Sequence, residues 1–323
     1  MCTAIAYKGN NTYFGRTLDI ECNHGEKIVL TPRNFMFNLK NGLKIEKHYA
    51  IIGTAVVNEN YPLYFDAVNE KGLAAAGLNF PDNAVYNEKE ENKNNLASFE
   101  LINYILSVCD SVESAKRELK SVNITNDNFS ANLPASPLHF MFADKNEAIT
   151  VEPVAEGLAV YDNKIGVLTN NPPFAFHTEN IKNYMGLSNE NPNNNFSKTL
   201  DLQCNSRGMG AIGLPGDLSS ASRFTRVAFV KENATPENEC EREVMQFFNV
   251  LGSVNQVRGC NLLSNGLYEY TAYTSCADLK NIIYYIKTYY GCVSAVSINC
   301  ENLNEKSLKE WSFLEKIQIN NLN

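Results

Sequence analysis

The sequence predicts an α+β fold in which two stacked antiparallel β-sheets carry helices on their outer faces. Three observations point to it. Short β-branched or aromatic runs, split by Asn/Gly turns, recur through the first half of the chain and again in its final third. Amphipathic helical stripes are few and lie between these blocks. No linker divides the 323 residues. At roughly 100–200 residues per domain this length allows one large domain or two ordinary ones, and the expectation is a single domain over 1–323.

The elements follow in order. Residues 3–7, 12–20, 27–32 and 49–57 read as strands. Asn69-Glu70-Lys71-Gly72 separates Tyr64–Val68 from Leu73–Phe80, which predicts a hairpin. Phe99, Ile102, Ile105, Leu106 and Cys109 fall on one helical stripe. Asp110-Ser111-Val112-Glu113 then resembles a capping box opening a second helix through Leu119. Asp144-Lys145-Asn146-Glu147 turns between strands His139–Ala143 and Ala148–Val154, and Asp162-Asn163 separates the strand Leu158–Tyr161 from Ile165–Thr169. Residues 187–222 run through Asn-rich sequence to Gly213-Leu214-Pro215-Gly216. A loop this long is functional or an interaction arm. Arg223–Val230 is expected as a strand. Val244, Phe247, Phe248 and Leu251 form a helical face after the acidic start at 239–243, which suits a helix dipole. Leu267–Thr274, Ile282–Tyr290 and Val293–Ile298 close the chain as strands.

Composition excludes several function classes. Apolar residues make up 44% and charged residues 20%, which is globular and not disordered. A net charge of −8 without a Lys/Arg cluster argues against a nucleic-acid partner. No apolar run approaches the ~18 residues of a membrane span. The N-terminal residues show no basic region followed by an apolar one, so a cytoplasmic location is expected. The nine cysteines are odd in number and lack C-x-x-C spacing, which predicts mostly free thiols. His24, His48, His139 and His177 show no metal spacing and read as surface or satisfied core residues. Gly208-Met209-Gly210 lacks a phosphate-loop continuation. No metal or cofactor is expected.

Cys2 is the most informative residue. If Met1 is removed, Cys2 carries a thiol and a free α-amine together. An α-amine titrates near ~7.7–8.0, so at neutral pH part of it is neutral and able to take a proton. One residue then supplies nucleophile and general base. Read alone, Cys2 fits a small buried residue at a strand end better than a nucleophile. Phe14-Gly15-Arg16-Thr17-Leu18-Asp19 follows one hairpin turn later. Arg16 and Asp19 suit a surface ion pair, or a cation favouring thiolate beside a carboxylate that holds the amine.

The start Met-Cys-Thr, Phe14-Gly15-Arg16 with Asp19, and Asn69-Glu70-Lys71-Gly72-Leu73 leading to Gly77-Leu78-Asn79-Phe80-Pro81 resemble the choloylglycine hydrolase family. So do Val167-Leu168-Thr169-Asn170-Asn171-Pro172, Gly213-Leu214-Pro215-Gly216-Asp217 with Ser222-Arg223-Phe224, and Tyr273-Thr274-Ser275-Cys276. Within the family the chain looks most like the bile salt hydrolases of gut bacteria. The resemblance implies a four-layer αββα N-terminal nucleophile fold and hydrolysis of the amide joining a bile acid to glycine or taurine, without cofactor. It implies Cys2 as nucleophile, Arg16 and Asp19 as the pair tuning thiol and amine, Asn79 and Asn170 as oxyanion- and amine-supporting asparagines, and Arg223 as a second active-site arginine. Leu18, Phe65, Phe129 and Leu133 match residues lining a steroid site. Asn58 and Phe65 fall where close relatives can carry an apolar and a small residue. A homotetramer built through 187–222 is implied as well. The alternatives are a penicillin V acylase, whose relatives usually carry Tyr at the Asn79 position, and a non-catalytic steroid-binding relative.

Overall fold

The computed structural model describes residues 1–317 and 319–323. Strands β1 (Cys2–Lys8) and β2 (Thr12–Ile20) form the first hairpin. After β3 (Lys27–Thr31) and a small ribbon of β4 (Phe37–Asn38) and β5 (Lys44–Ile45), the chain meanders through β6 (Ile51–Asn58), β7 (Tyr61–Asn69) and β8 (Ala74–Asn79). Helices α1 (Leu101–Val108) and α2 (Val112–Glu118) lie between β9 (Asn94–Ala97) and its parallel partner β10 (Val122–Thr125). Strands β11 (Leu138–Ala143), β12 (Ala148–Val154), β13 (Gly157–Asp162) and β14 (Val167–Leu168) follow, then helices α3 (Phe174–Asn180), α4 (Ser220–Asn233) and α5 (Cys240–Gly252). The chain ends through β15 (Tyr270–Asp278), β16 (Ile283–Thr288), β17 (Val293–Ser297) and β18 (Lys309–Trp311).

These strands make two large antiparallel sheets. The first runs β14-β1-β2-β15-β16-β17, and the second β13-β12-β11-β8-β7-β6-β3-β18. Helix α1 packs on β7 and β8, while α4 and α5 pack on β1, β2, β14 and β15. The result is the expected four layers, helices–sheet–sheet–helices. Burial on both faces leaves nearly every residue of the central strands buried, polar ones such as Arg16, Thr17 and Asp19 included. One apolar cluster, including Cys2, Leu18, Ile52, Val68, Leu78 and Phe247, fills the space between the sheets and continues under α4 and α5. The other, including Leu101, Ile105, Phe140 and Val151, lies between the second sheet and α1/α2. Among the described residues no helix is long and apolar enough to cross a membrane.

Two quoted turn motifs have structural duties. Asn69 is fully buried; its amide donates to the Leu106 and Cys109 carbonyls at 2.8 and 2.7 Å and accepts from the Lys71 and Leu73 amides. The hairpin is thereby stitched to the end of α1, and Gly72 supplies the positive φ of 84° that the turn requires. Asp217 accepts from the Ser219 amide at 2.9 Å and the Ser222 hydroxyl at 2.6 Å, closing the N-terminus of α4. These bonds hold its carboxyl down at about 2.

The structure corrects three sequence expectations. Arg223–Val230 is helical, within α4: buried Phe224, Val227 and Ala228 fall at helical spacing, so packing overrides their strand-prone composition. The N-cap of α2 is Ser111, paired reciprocally with Ser114, and Glu113 instead faces Arg117 one turn on. Leu158–Tyr161 and Ile165–Thr169 both contain strands as read, β13 in the second sheet and the short β14 in the first. Helix α3 was not foreseen, and the loop from residue 187 ends at Ser219 because Ser220 already opens α4.

Candidate active site

The site forms where β1 is flanked by β2 and β14. Antiparallel register sets Cys2 opposite Leu18 and Ala4 opposite Arg16. Side chains alternate along a strand, so Cys2, Arg16 and Leu18 share the face toward the second sheet. Gly15 points the other way, and a Cβ there would overlap the Ser275 carbonyl. Its absence lets β15 close against β2, and the Arg16 amide bonds the Ser275 hydroxyl at 3.0 Å.

Arg16 is 1% exposed. Its guanidinium donates to the Thr17 carbonyl at 3.2 Å, to the Phe65 carbonyl at 3.2 Å, to the Gly77 carbonyl at 2.5 Å and to Cys2 Sγ. Burial works against this cation, but Cys2, Tyr273, Asp66 and Asp19 together hold it above its ordinary range. Buried thiols elsewhere lack this setting: burial pushes Cys109 up to about 12 and Cys276 well above its usual value.

The backbone of Cys2 has a separate set of partners. Its N–H donates to Asn170 Oδ1 at 2.8 Å. Arg223, fully buried on α4, donates to the Cys2 carbonyl at 2.5 Å, to Thr3 Oγ1 at 2.6 Å and to Asn170 Oδ1 at 2.9 Å. Burial lowers the Arg223 guanidinium, with Asp19 and Cys2 opposing the shift. Strand β14 pairs with β1 and so delivers Asn170 to this position. Asn170 Nδ2 donates to the Asn79 carbonyl at 2.8 Å, which orients its oxygen toward Cys2. Behind it, the Asn170 amide bonds Ser220 Oγ, and His177 Nε2 donates to the Asn170 carbonyl at 3.0 Å.

Asp19 lies three residues from Arg16 and therefore on the opposite strand face. It is 1% exposed, so the surface ion-pair reading fails. Its carboxylate accepts from Thr271 Oγ1 at 2.6 Å, Gln256 Nε2 at 3.2 Å and Thr17 Oγ1 at 3.3 Å. Its backbone exchanges hydrogen bonds with Met1, and the Met1 ammonium pairs with Glu269. Burial lowers that amine.

Asn79 ends β8 with its side chain exposed. Leu18 and Phe65 pack with the cluster that contains Cys2. Phe129 belongs instead to the second cluster, against Phe99 and Tyr61 at ring separations of 5.3 and 5.9 Å. Leu133 turns back onto Phe129 through backbone bonds and is exposed, and Asn58 sits at the outer end of β6. The structure thus joins Cys2, Arg16, Asn170 and Arg223 directly, Asp19 through Met1 and Thr17, and leaves Phe129 and Leu133 at the β6–β7 hairpin. Asp66, Tyr273, Tyr284, Gln256, Thr271 and Glu269 complete the surroundings. Sequence reasoning assigned them no role, because each partner arrives from a distant strand or loop.

This arrangement can hold a sulfur nucleophile beside a cation, with an amide oxygen and a second cation fixing the main chain of the same residue. Known proteins resemble the chain along its length. The linear amide C–N hydrolases of the choloylglycine hydrolase family match residues 2–311. A bile salt hydrolase/transferase of Lactiplantibacillus plantarum is 46% identical over 319 residues, covering 98% of each chain. One from Clostridium perfringens is 37% identical over 330 residues, covering each chain completely. A mutant conjugated bile acid hydrolase from Clostridium perfringens superposes with a TM-score of 0.93 at 36% identity over both full chains. A penicillin V acylase from Agrobacterium tumefaciens shares the fold, with a TM-score of 0.76 at 19% identity over 96% of this chain and 90% of its own. On these matches and this geometry, the chain belongs to the choloylglycine hydrolase family.

Proposed function

We propose that this chain hydrolyses the amide bond between a bile acid and glycine or taurine. The observation that carries the reading is the double hold on Cys2: Arg16 on its sulfur, and Asn170 with Arg223 on its main chain. Names of relatives 46% and 37% identical along the whole chain support the substrate class. After Met1 is removed, Asn170 Oδ1 is positioned to orient the new α-amine. The Cys2 amine takes the thiol proton as the sulfur attacks the amide carbon, and the carbonyl π pair moves onto oxygen, where Asn79 and a backbone N–H stabilise it. The C–N bond then breaks, the Cys2 amine passes a proton to the departing amino group, and the acyl group stays on sulfur. Water, deprotonated by the same amine, cleaves the thioester to free bile acid and thiol.

Asp19 supports the amine's surroundings through Thr271 and Gln256, and Leu18, Asn58, Phe65, Phe129 and Leu133 serve the steroid pocket. The whole of 1–323 acts as one catalytic domain in the cytoplasm, assembled as a homotetramer through the loop that begins at residue 187. Exposed Phe196 and Ile212, at 85% and 71%, fit an assembly arm. All nine cysteines are free thiols, in keeping with a reducing compartment.

Release of glycine or taurine from glycocholate and taurocholate, measured beside phenoxyacetate release from penicillin V, tests the reading. Bile salt turnover should dominate and vanish in Cys2→Ala with the circular dichroism spectrum unchanged. Residual turnover in that variant, or dominant penicillin V cleavage, would reject it.

A further inference from the structure

A register shift between Thr54 and Ala55 opposite β7 leaves Phe65 as an extra residue in that strand. Neighbouring Tyr64 and Ala67 turn toward the helix layer, whereas Phe65 packs on the cluster of the catalytic layer, and Asp66 faces the first sheet. Asp66 is 1% exposed. Its Oδ1 accepts from Tyr273 OH at 2.9 Å and its Oδ2 from Tyr284 OH at 2.5 Å. The Tyr284 oxygen is 2.8 Å from Thr54 Oγ1. With Tyr284 donating to Asp66, the threonine donates to the tyrosine. Every hydroxyl proton in this wire then points toward the carboxylate, the pattern of an acceptor-only group.

The backbone carbonyl next to Asp66, that of Phe65, holds Arg16. Arg16 acts electrostatically on both Asp66 and Cys2. The buried charges around the nucleophile are two cations, Arg16 and Arg223, and three carboxylates, Asp19, Asp66 and Glu269. Asp66 stands on the Arg16 side of this set, next to the carbonyl that holds the guanidinium, so its negative charge opposes the pull of that cation on the Cys2 sulfur.

Resting on the assignment of Cys2 as nucleophile, we infer that Asp66 is a positioning residue of the site, an ionised carboxylate sealed between the sheets that balances Arg16 and sets the pH at which Cys2 becomes reactive. Burial pushes this carboxyl up, and Arg16 with the surrounding hydroxyls opposes the shift. The other titratable or charged groups facing the ensemble are the N-terminal amine and Cys2 on the β1 side, Arg16 and Asp19 on β2, Tyr273 on β15, Tyr284 on β16, Arg223 on α4, and Glu269 beside the amine.

The test is the rate of Cys2 alkylation by iodoacetamide between pH 4 and 9, read from the mass of the N-terminal peptide of the processed protein. In Asp66→Asn the loss of a nearby negative charge should lower the alkylation midpoint by about one pH unit. The acid limb of bile salt hydrolysis should move with it. Tyr273→Phe and Tyr284→Phe, which weaken the hold on the carboxylate, should shift it part of the way in the same direction. They carry the test if circular dichroism shows Asp66→Asn unfolded. An unchanged or raised midpoint in the folded variants, with Cys2 of the parent alkylating normally, overturns the role of Asp66 alone. A parent whose hydrolysis survives complete Cys2 alkylation overturns the nucleophile assignment and this inference with it.

Discussion

Cys2 serves two chemistries because its side chain and its main chain leave the strand in different directions. The sulfur faces the second sheet and meets Arg16; the nitrogen and carbonyl face Asn170 and Arg223. The nitrogen is an amide while Met1 is attached, and an amide has no lone pair able to take a proton. A variant that keeps Met1, made by placing a bulky residue after it, should therefore fold yet lose about 10²–10⁴-fold in hydrolysis, the usual worth of a general base. Intact mass identifies the N-terminus, and full activity with Met1 retained would exclude the amine as base. Much of this was legible in the sequence at the residue scale. Cys2 and Arg16 are 14 positions apart on one hairpin, and strand parity alone puts them on one face. Asp19 was read as Arg16's companion, but an odd spacing turns it to the other face.

At the scale of elements, the segment after β14 is fixed from behind by histidines. His139 sits between Glu152 Oε1 at 3.0 Å and the Thr169 carbonyl at 2.8 Å, and His177 bonds the next carbonyl, that of Asn170. His177 Nδ1 is buried without a hydrogen-bond partner among the described residues. Burial lowers His177, and His48 likewise, below the ordinary histidine range. The unfolded chain takes up protons once pH falls below about 6.5, while the folded imidazoles resist. Their stabilising contribution is complete above that pH and is lost as pH falls toward the lowered folded values. Thermal midpoints should drop from pH 7 to pH 5, with a shallower slope in His177→Gln, whose amide still donates to Asn170. Equal slopes would remove His177 from the explanation.

The segment from 187 to 219 makes a different prediction. Deleting residues 193–204 should give smaller assemblies by light scattering, and an unchanged mass would end its role as an arm. Helix α4, which follows, was misread because Phe224, Val227, Phe229 and Val230 are all good strand formers. Only the tertiary face and the Asp217 cap distinguish it.

Across the whole molecule, the layer order was legible because short β-branched or aromatic runs and turn residues recur in nearly every strand. The surroundings of the nucleophile were less so. Asp66 meets Tyr273 and Tyr284 across separations of 207 and 218 residues, and no local pattern announces such pairs. Pocket residues are harder again, because no local pattern separates a pocket position from ordinary core. Specificity is therefore best probed at Asn79, which faces outward beside the site. Asn79→Tyr should lower turnover of bile salts more than that of penicillin V, since a ring narrows the space and replaces an amide donor by a phenol. Equal proportional losses would assign Asn79 to catalysis only.

Arg16 is held in place by the carbonyls of Thr17, Phe65 and Gly77. Every amino acid supplies a carbonyl, so this grip does not depend on which side chain occupies position 65. The side chain that packs on the Cys2 cluster and the atom that anchors the cation are parts of one residue, yet they vary independently. A lineage can exchange its side chain at 65 while inheriting the anchor of Arg16 unchanged.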